Sequence, residues 1–126
     1  MEKQLEAVKT FHEAFGVKNG KKPQLVAQEI GMLRHELMSE ENDEYLDAVV
    51  NKDLVGIADA LGDQLYILCG TILVHGMQHI IVDVFNEIQA SNMSKLGEDG
   101  KPVLREDGKI LKGPGYFKPD IKKFIK

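Results

Sequence analysis

A single cysteine, Cys69, is all the thiol in this chain of 126 residues, so an intrachain disulfide is excluded. Its neighbours Ile67, Leu68 and Ile72 predict an inert core thiol. Basic residues are the minority, 16 against 20 aspartates and glutamates, and the formal charge is −4. That balance argues against nonspecific nucleic-acid binding, which needs a basic surface. The longest apolar run, LYILCGTILVHGM, is too short to span a bilayer. No basic and apolar leader opens the chain, because MEKQLEAVKTFHEAF is amphipathic and acidic. The cytoplasm is the expected compartment, with neither membrane nor nucleic acid as partner. Also lacking are an internal repeat, a low-complexity linker, a glycine-rich loop opening a helix, and a paired nucleophile and base for covalent catalysis.

What is present is ordinary material for one globular domain, with 43% hydrophobic and 29% charged residues. Periodicity predicts an all-α, four-helix bundle-like domain over residues 1–126, with a helical core over 1–96 and a tail over 97–126. The first helix runs from about Lys3 to Phe15, with Leu5, Val8, Phe11, His12 and Phe15 on one face, and ends at Gly16. GVKNGKKP is a firm break, and the second helix follows from Pro23 or Gln24 to Val50. Asn51 closes it, Asp53 caps a third helix reaching about His75, and Gly76 stops that one. The fourth runs from about Gln78 to Met93 or Lys95. In the tail, VLREDGKILK predicts two short strands joined by a two-residue turn at Asp107-Gly108, and PDIKKFIK a final helical turn.

The second helix carries Val26, Ile30, Leu33 and Leu37 within roughly 60° of one another, which predicts a core-facing stripe. Two turns further on, Glu40 and Glu44 fall on that stripe with Glu41 at its edge; Asp47 is marginal and Asp43 lies off it. On the third helix Leu54, Ala58, Leu61, Leu65, Leu68 and Ile72 form the main stripe, while Asp59 and Asp63 stand nearly opposite among Val55, Gly62, Tyr66, Gly70 and Val74. A helix apolar all round is expected to be buried all round, with part of its cover from another subunit. Acidic residues at three- and four-residue spacing are usually a solvated face. Two such runs on consecutive helices, each interrupting an apolar pattern, point instead to a cation, because inward carboxylates are costly without one. Oxygen-only ligands suit Mg²⁺, with Mn²⁺ possible, rather than zinc.

On the fourth helix Met77, Ile81, Val84, Phe85 and Ile88 form a stripe that Asn92 and Lys95 extend. An ammonium and an amide there suit a nucleotide's phosphate and polar edges, although a helix-terminal lysine with an asparagine terminator has the same spacing. Arg34 projects from the same side as Glu41, to pair with a glutamate or reach a phosphate. His75 and His79 straddle a helix break and are expected to be satisfied or exposed, and His12 to be a packing residue.

With Glu40-Glu41-x-x-Glu44 followed by Asp59-x-x-x-Asp63, the chain resembles the all-α nucleoside triphosphate pyrophosphohydrolases, the MazG-like and phosphoribosyl-ATP pyrophosphohydrolase-like superfamily. FHEAFG, IADALGDQLYILCG, VFNEIQASNMSK and GKILKGPGYFKPDI extend the likeness over nearly the whole chain. The resemblance implies a helical homodimer or homotetramer and Mg²⁺-dependent cleavage between the α and β phosphates, giving a nucleoside monophosphate and pyrophosphate. It implies Glu41, Glu44 and Asp63 as metal ligands and Glu40 as a ligand or the residue positioning water. The family commonly has a glutamate at the position of Ala60, and Asp59 is the expected substitute. Lys109, Lys112 and Tyr116 join Arg34, Asn92 and Lys95 as the implied substrate contacts. The alternatives are phosphoribosyl-ATP hydrolysis in histidine biosynthesis and a helical module that binds metal and nucleotide without turnover.

Overall fold

The computed structural model describes all 126 residues. They form α1 (Glu2–Phe15), α2 (Gln28–Val50), α3 (Leu54–Val74), α4 (Ile81–Met93), β1 (Val103–Leu104) and β2 (Ile110–Leu111), ending in a 3-10 turn, Lys122–Phe124. The fold is mostly helical with one small antiparallel hairpin, as expected. The chain divides into two compact units, Met1–His79 and Ile80–Lys126.

In the first unit α3 packs against both α1 and α2. Gly16 ends α1 in the left-handed conformation at φ 75°, and the Val17 N–H donates to the His12 carbonyl at 2.8 Å. The segment that follows crosses the C-terminal end of α3. The Gly20 and Gln24 N–H groups donate to the carbonyls of Leu73 (2.8 Å) and His75 (3.0 Å) at that helix end. That task keeps Pro23 and Gln24 out of the helix, and α2 starts at Gln28, later than its sequence predicts. Gly76, at φ 67°, is packed so closely on this segment that a Cβ there would collide with the Lys22 backbone carbonyl. The α2–α3 link is short: Lys52 adopts φ 55°, and the Asp53 side chain accepts from the Gly56 N–H at 3.0 Å.

The helices meet along a seam other than the predicted stripes. On α2 it runs through Arg34, Met38, Glu41, Tyr45 and Ala48, all buried or half-buried. On α3 it runs through Gly56, Ala60, Asp63, Ile67, Gly70 and Val74. The predicted core residues Ile30 and Leu33 are 44% and 52% exposed. Most of the α3 stripe is open too, with Leu54, Leu61, Leu65 and Leu68 all exposed, since α1 and α2 cover other faces. Only its last member, Ile72, is buried. By length and composition α3 is apolar enough to cross a membrane, yet Asp59 and Asp63 interrupt it. Cys69 is fully buried, and burial pushes its thiol pKa up, which keeps it protonated and inert.

Gly70 lets two polar side chains approach the α3 backbone. A Cβ at Gly70 would lie 2.5 Å from Arg34 Nη2 and 2.9 Å from His12 Nε2. Both residues are buried, at 8% and 3% exposure. Arg34 pairs with no glutamate. Its Nε donates to Thr71 Oγ1 at 3.0 Å and its Nη2 to the Ile67 carbonyl at 2.9 Å. His12 Nδ1 is 2.6 Å from Asn19 Oδ1, so it carries the proton and donates.

In the second unit the C-terminal tail folds onto α4. The buried Ser91 hydroxyl donates to the Phe117 carbonyl at 2.8 Å, and the Phe117 N–H returns to Ser94 Oγ at 3.1 Å. α4 begins at Ile81, three residues later than the sequence predicts. The hairpin loop also differs from the predicted two-residue turn. Arg105 N–H bonds the Lys109 carbonyl, Gly108 N–H bonds the Arg105 carbonyl, and Gly108 is at φ 85°. This is a three-residue loop built on a turn with a left-handed glycine after it.

Glu87 fastens the end of the chain, accepting from the Asp120 N–H at 2.9 Å and from Lys123 Nζ at 3.0 Å. Those two donors hold its carboxyl below the usual glutamate range. A depressed folded pKa adds stability that is present above the unfolded value, about 4.3, and is lost as pH falls through the folded value. Glu87→Gln is therefore expected to loosen residues 118–126 at neutral pH as acid does to the wild type. Faster amide exchange confined to that segment would show it, and unchanged exchange would refute it.

Candidate metal centre

The α2–α3 seam runs Arg34, Met38, Glu41, Tyr45, Ala48 against Gly56, Ala60, Asp63, Ile67, so two carboxylates occupy positions that would otherwise pack apolar groups. Glu44, three residues from Glu41 and on the same side of α2, adds a third. Oxygen atoms of Glu41, Glu44 and Asp63 all lie within 4.8 Å of one another. Glu41 Oε2 is buried and has no hydrogen-bond partner. Burial, the hydrogen bond with Glu44 and the charges of Glu44, Asp63 and Asp59 push the Glu41 carboxyl pKa up. A buried carboxylate oxygen with no donor from the protein, surrounded by its own sign of charge, has the electrostatics that a bound cation would relieve.

The donors fit a hard dication. They are all oxygens, they converge from two rigid helices, and no cysteine or histidine joins them. Beside them Gln64 Nε2 donates to Asn42 Oδ1 at 3.1 Å, a clamp between α2 and α3 that sequence reasoning missed. Its only signal was that each residue follows a ligand candidate, Asn42 after Glu41 and Gln64 after Asp63.

The other expected residues are distributed as follows. Glu40 is exposed next to Glu41, on the side of α2 turned away from the seam. The sequence put Glu40 on the inward stripe and Glu41 at its edge; the structure reverses them, because the seam follows Arg34 and Ala48. Asp59 is exposed and outside the three-carboxylate set. Ala60 holds the seam position there at 1% exposure, which turns Asp59 aside, although its charge still reaches Glu41. Asn92, Lys95, Lys109, Lys112 and Tyr116 all belong to the second unit. There the Lys95 carbonyl accepts from the Gly113 N–H at 2.8 Å, and Lys112 Nζ lies 4.7 Å from the centre of the Tyr116 ring. Asn92, Lys109 and Lys112 are exposed. His75 Nδ1 is 3.1 Å from the Gln24 carbonyl, and His79 is exposed.

A crystal structure from Exiguobacterium sp. 255-15, provisionally described as an NTP pyrophosphohydrolase, is 28% identical, with a TM-score of 0.51 over 92% of this chain and 88% of that one. No curated protein matches. Residues 8–92 match the family described as Phosphoribosyl-ATP pyrophosphohydrolase, a span that holds every carboxylate of the cluster. The chain belongs to that family and is a pyrophosphohydrolase.

Proposed function

We propose that the chain hydrolyses nucleoside triphosphates between the α and β phosphates, releasing a nucleoside monophosphate and pyrophosphate, with a role in clearing unwanted nucleotides. The observation that carries this reading is the buried, unpartnered Glu41 oxygen within the Glu41, Glu44 and Asp63 cluster. These three would hold Mg²⁺, or Mn²⁺ in its place. Bound there, the ion would neutralise phosphate charge and lower the pKa of a coordinated water. Glu40, on the exposed side of α2 one turn before Glu44, is the candidate to orient the attacking water and take its proton. The water oxygen bonds to phosphorus, the anhydride bond breaks and pyrophosphate leaves. Asp59 adds negative field at Glu41 and is the candidate further ligand, for a second ion. Arg34, Asn92, Lys95, Lys109, Lys112 and Tyr116 are the candidate substrate contacts.

A homodimer or homotetramer in the cytoplasm is part of this reading. The exposed Leu54, Leu61, Leu65 and Leu68 of α3 support it, since a second copy would remove them from water. The family description favours one narrower reading, phosphoribosyl-ATP as the substrate, which uses the same anhydride and the same carboxylates.

The test is a panel of nucleoside triphosphates and phosphoribosyl-ATP, each with Mg²⁺. Pyrophosphate release that stops on adding a chelator is expected, and the best substrate separates the two readings. Orthophosphate alone, or nucleotide binding without any product, would overturn the hydrolase assignment.

A further inference from the structure

Val26, Ile30, Leu33 and Leu37 do not pack into a core. They wall a cavity of about 770 Å³ bounded also by the end of α1 and the segment after it. Its polar side chains are His12, Lys18, Asn19, Gln24 and Arg34, and no aspartate or glutamate lines it, in a chain whose net charge is −4. We propose that this cavity receives the nucleobase of the substrate. It selects bases with a carbonyl oxygen at the pyrimidine 4- or purine 6-position, such as uracil and hypoxanthine, over cytosine and adenine, which carry an amino group there, and so favours free triphosphates of those bases over the adenine-based phosphoribosyl-ATP. The proposal rests on the nucleotide reading above and adds its base.

Three observations carry it. First, Arg34 is 8% exposed and has no carboxylate partner. Its Nε and Nη2 are engaged with Thr71 and the Ile67 carbonyl, which fixes the guanidinium of a residue that lines the cavity and leaves Nη1 with no hydrogen bond to the protein. Second, Asn19 Oδ1 is taken by His12, so the amide offers its NH₂, and Lys18 offers three more donors. The pole is rich in donors, and an exocyclic amino group brought to it would set donor against donor. Third, the walls are apolar and wide, which suits a flat ring and not a small inorganic anion.

Position agrees with chemistry. Arg34, Leu37, Glu41 and Glu44 follow at spacings that keep them on one side of α2. At about 1.5 Å per residue, Leu37 is roughly 6 Å and Arg34 roughly 10 Å along the axis from Glu41. A nucleotide lying along this side can put its phosphates at the carboxylates and its base between Leu37 and Arg34.

The experiment compares kcat/KM for UTP and ITP with CTP and ATP, and titrates free uridine, inosine, cytidine and adenosine into the full-length protein by calorimetry. Expected is a preference of at least about tenfold for UTP and ITP, with uridine and inosine binding and cytidine and adenosine not. Leu33→Trp, which fills the cavity from a half-exposed wall, should raise KM at least about tenfold while Mg²⁺ still raises the melting temperature. Arg34→Lys, which keeps the charge and loses the fork, should bring the base preference close to unity. Equal use of all four triphosphates, or base preference untouched in both variants, overturns the proposal while leaving pyrophosphate release intact. If no triphosphate is hydrolysed the functional reading fails separately, and the nucleoside titrations still decide the pocket. Binding of inorganic phosphate in competition with uridine would reassign the cavity to anions.

Discussion

Glu41→Gln and Asp63→Asn are each expected to cut pyrophosphate release by at least about a hundredfold, since even residues behind metal ligands commonly cost ten- to a hundredfold. The fold should survive, and for Glu41 the structure makes a stronger statement. Its carboxylate shares less than 4.8 Å with those of Glu44 and Asp63, and its Oε2 has no donor. Without a cation that charge opposes folding, so the neutral amide should leave the metal-free protein equally stable or raise its melting temperature. Mg²⁺ should stabilise the wild type by mass action and not the variant. A thermal scan with and without Mg²⁺, beside the activity assay, separates loss of the ion from loss of the fold. Near-normal turnover in either variant would remove that residue from the ligand set. A large fall in the metal-free melting temperature of Glu41→Gln would show that the glutamate is structural.

The second large effect concerns stability. Gly76→Ala is expected to destabilise the first unit by about 3 kcal/mol or more, a fall in melting temperature on the order of 10–20 °C. An alanine at φ 67° is strained, and its methyl meets the Lys22 carbonyl, so the 20–24 segment must lift from α3. Lifting it abandons the Gly20–Leu73 and Gln24–His75 hydrogen bonds together. Gly16→Ala is the control. Its φ is similar at 75° but nothing lies within 4 Å of the added Cβ, so only the backbone strain of about 1 kcal/mol applies. Equal shifts in the two variants would mean that the close approach at Lys22 contributes nothing.

Local chemistry was legible in the sequence, and tertiary assignments were less so. Gly16 and Asp53 mark their helix ends because a left-handed cap and an N-cap carboxylate act within four residues. Pro23 and Gln24 read as a helix start, but Gln24 serves the far end of α3, a contact more than 50 residues away in the chain that no local pattern carries. The acidic cluster was found because carboxylates interrupt two apolar runs. Which glutamate is central was not, since periodicity gives a face its width but not its partner. Arg34 and Gly70 set the seam, and they place Glu41 on it and Glu40 off it. The same limit applies to Val26, Ile30, Leu33 and Leu37: an apolar stripe announces that something apolar belongs there, and a cavity wall and a core give the same pattern.

The link between α2 and α3 is only Asn51, Lys52 and Asp53, so every member of the carboxylate cluster comes from one helical hairpin. Its contacts are short in sequence, and low contact order is the condition for rapid folding. Bringing those two helices together is therefore enough to place all three carboxylates side by side. The like-charge repulsion among these carboxylates opposes the closing of this one hairpin, and a dication held by all three would favour it.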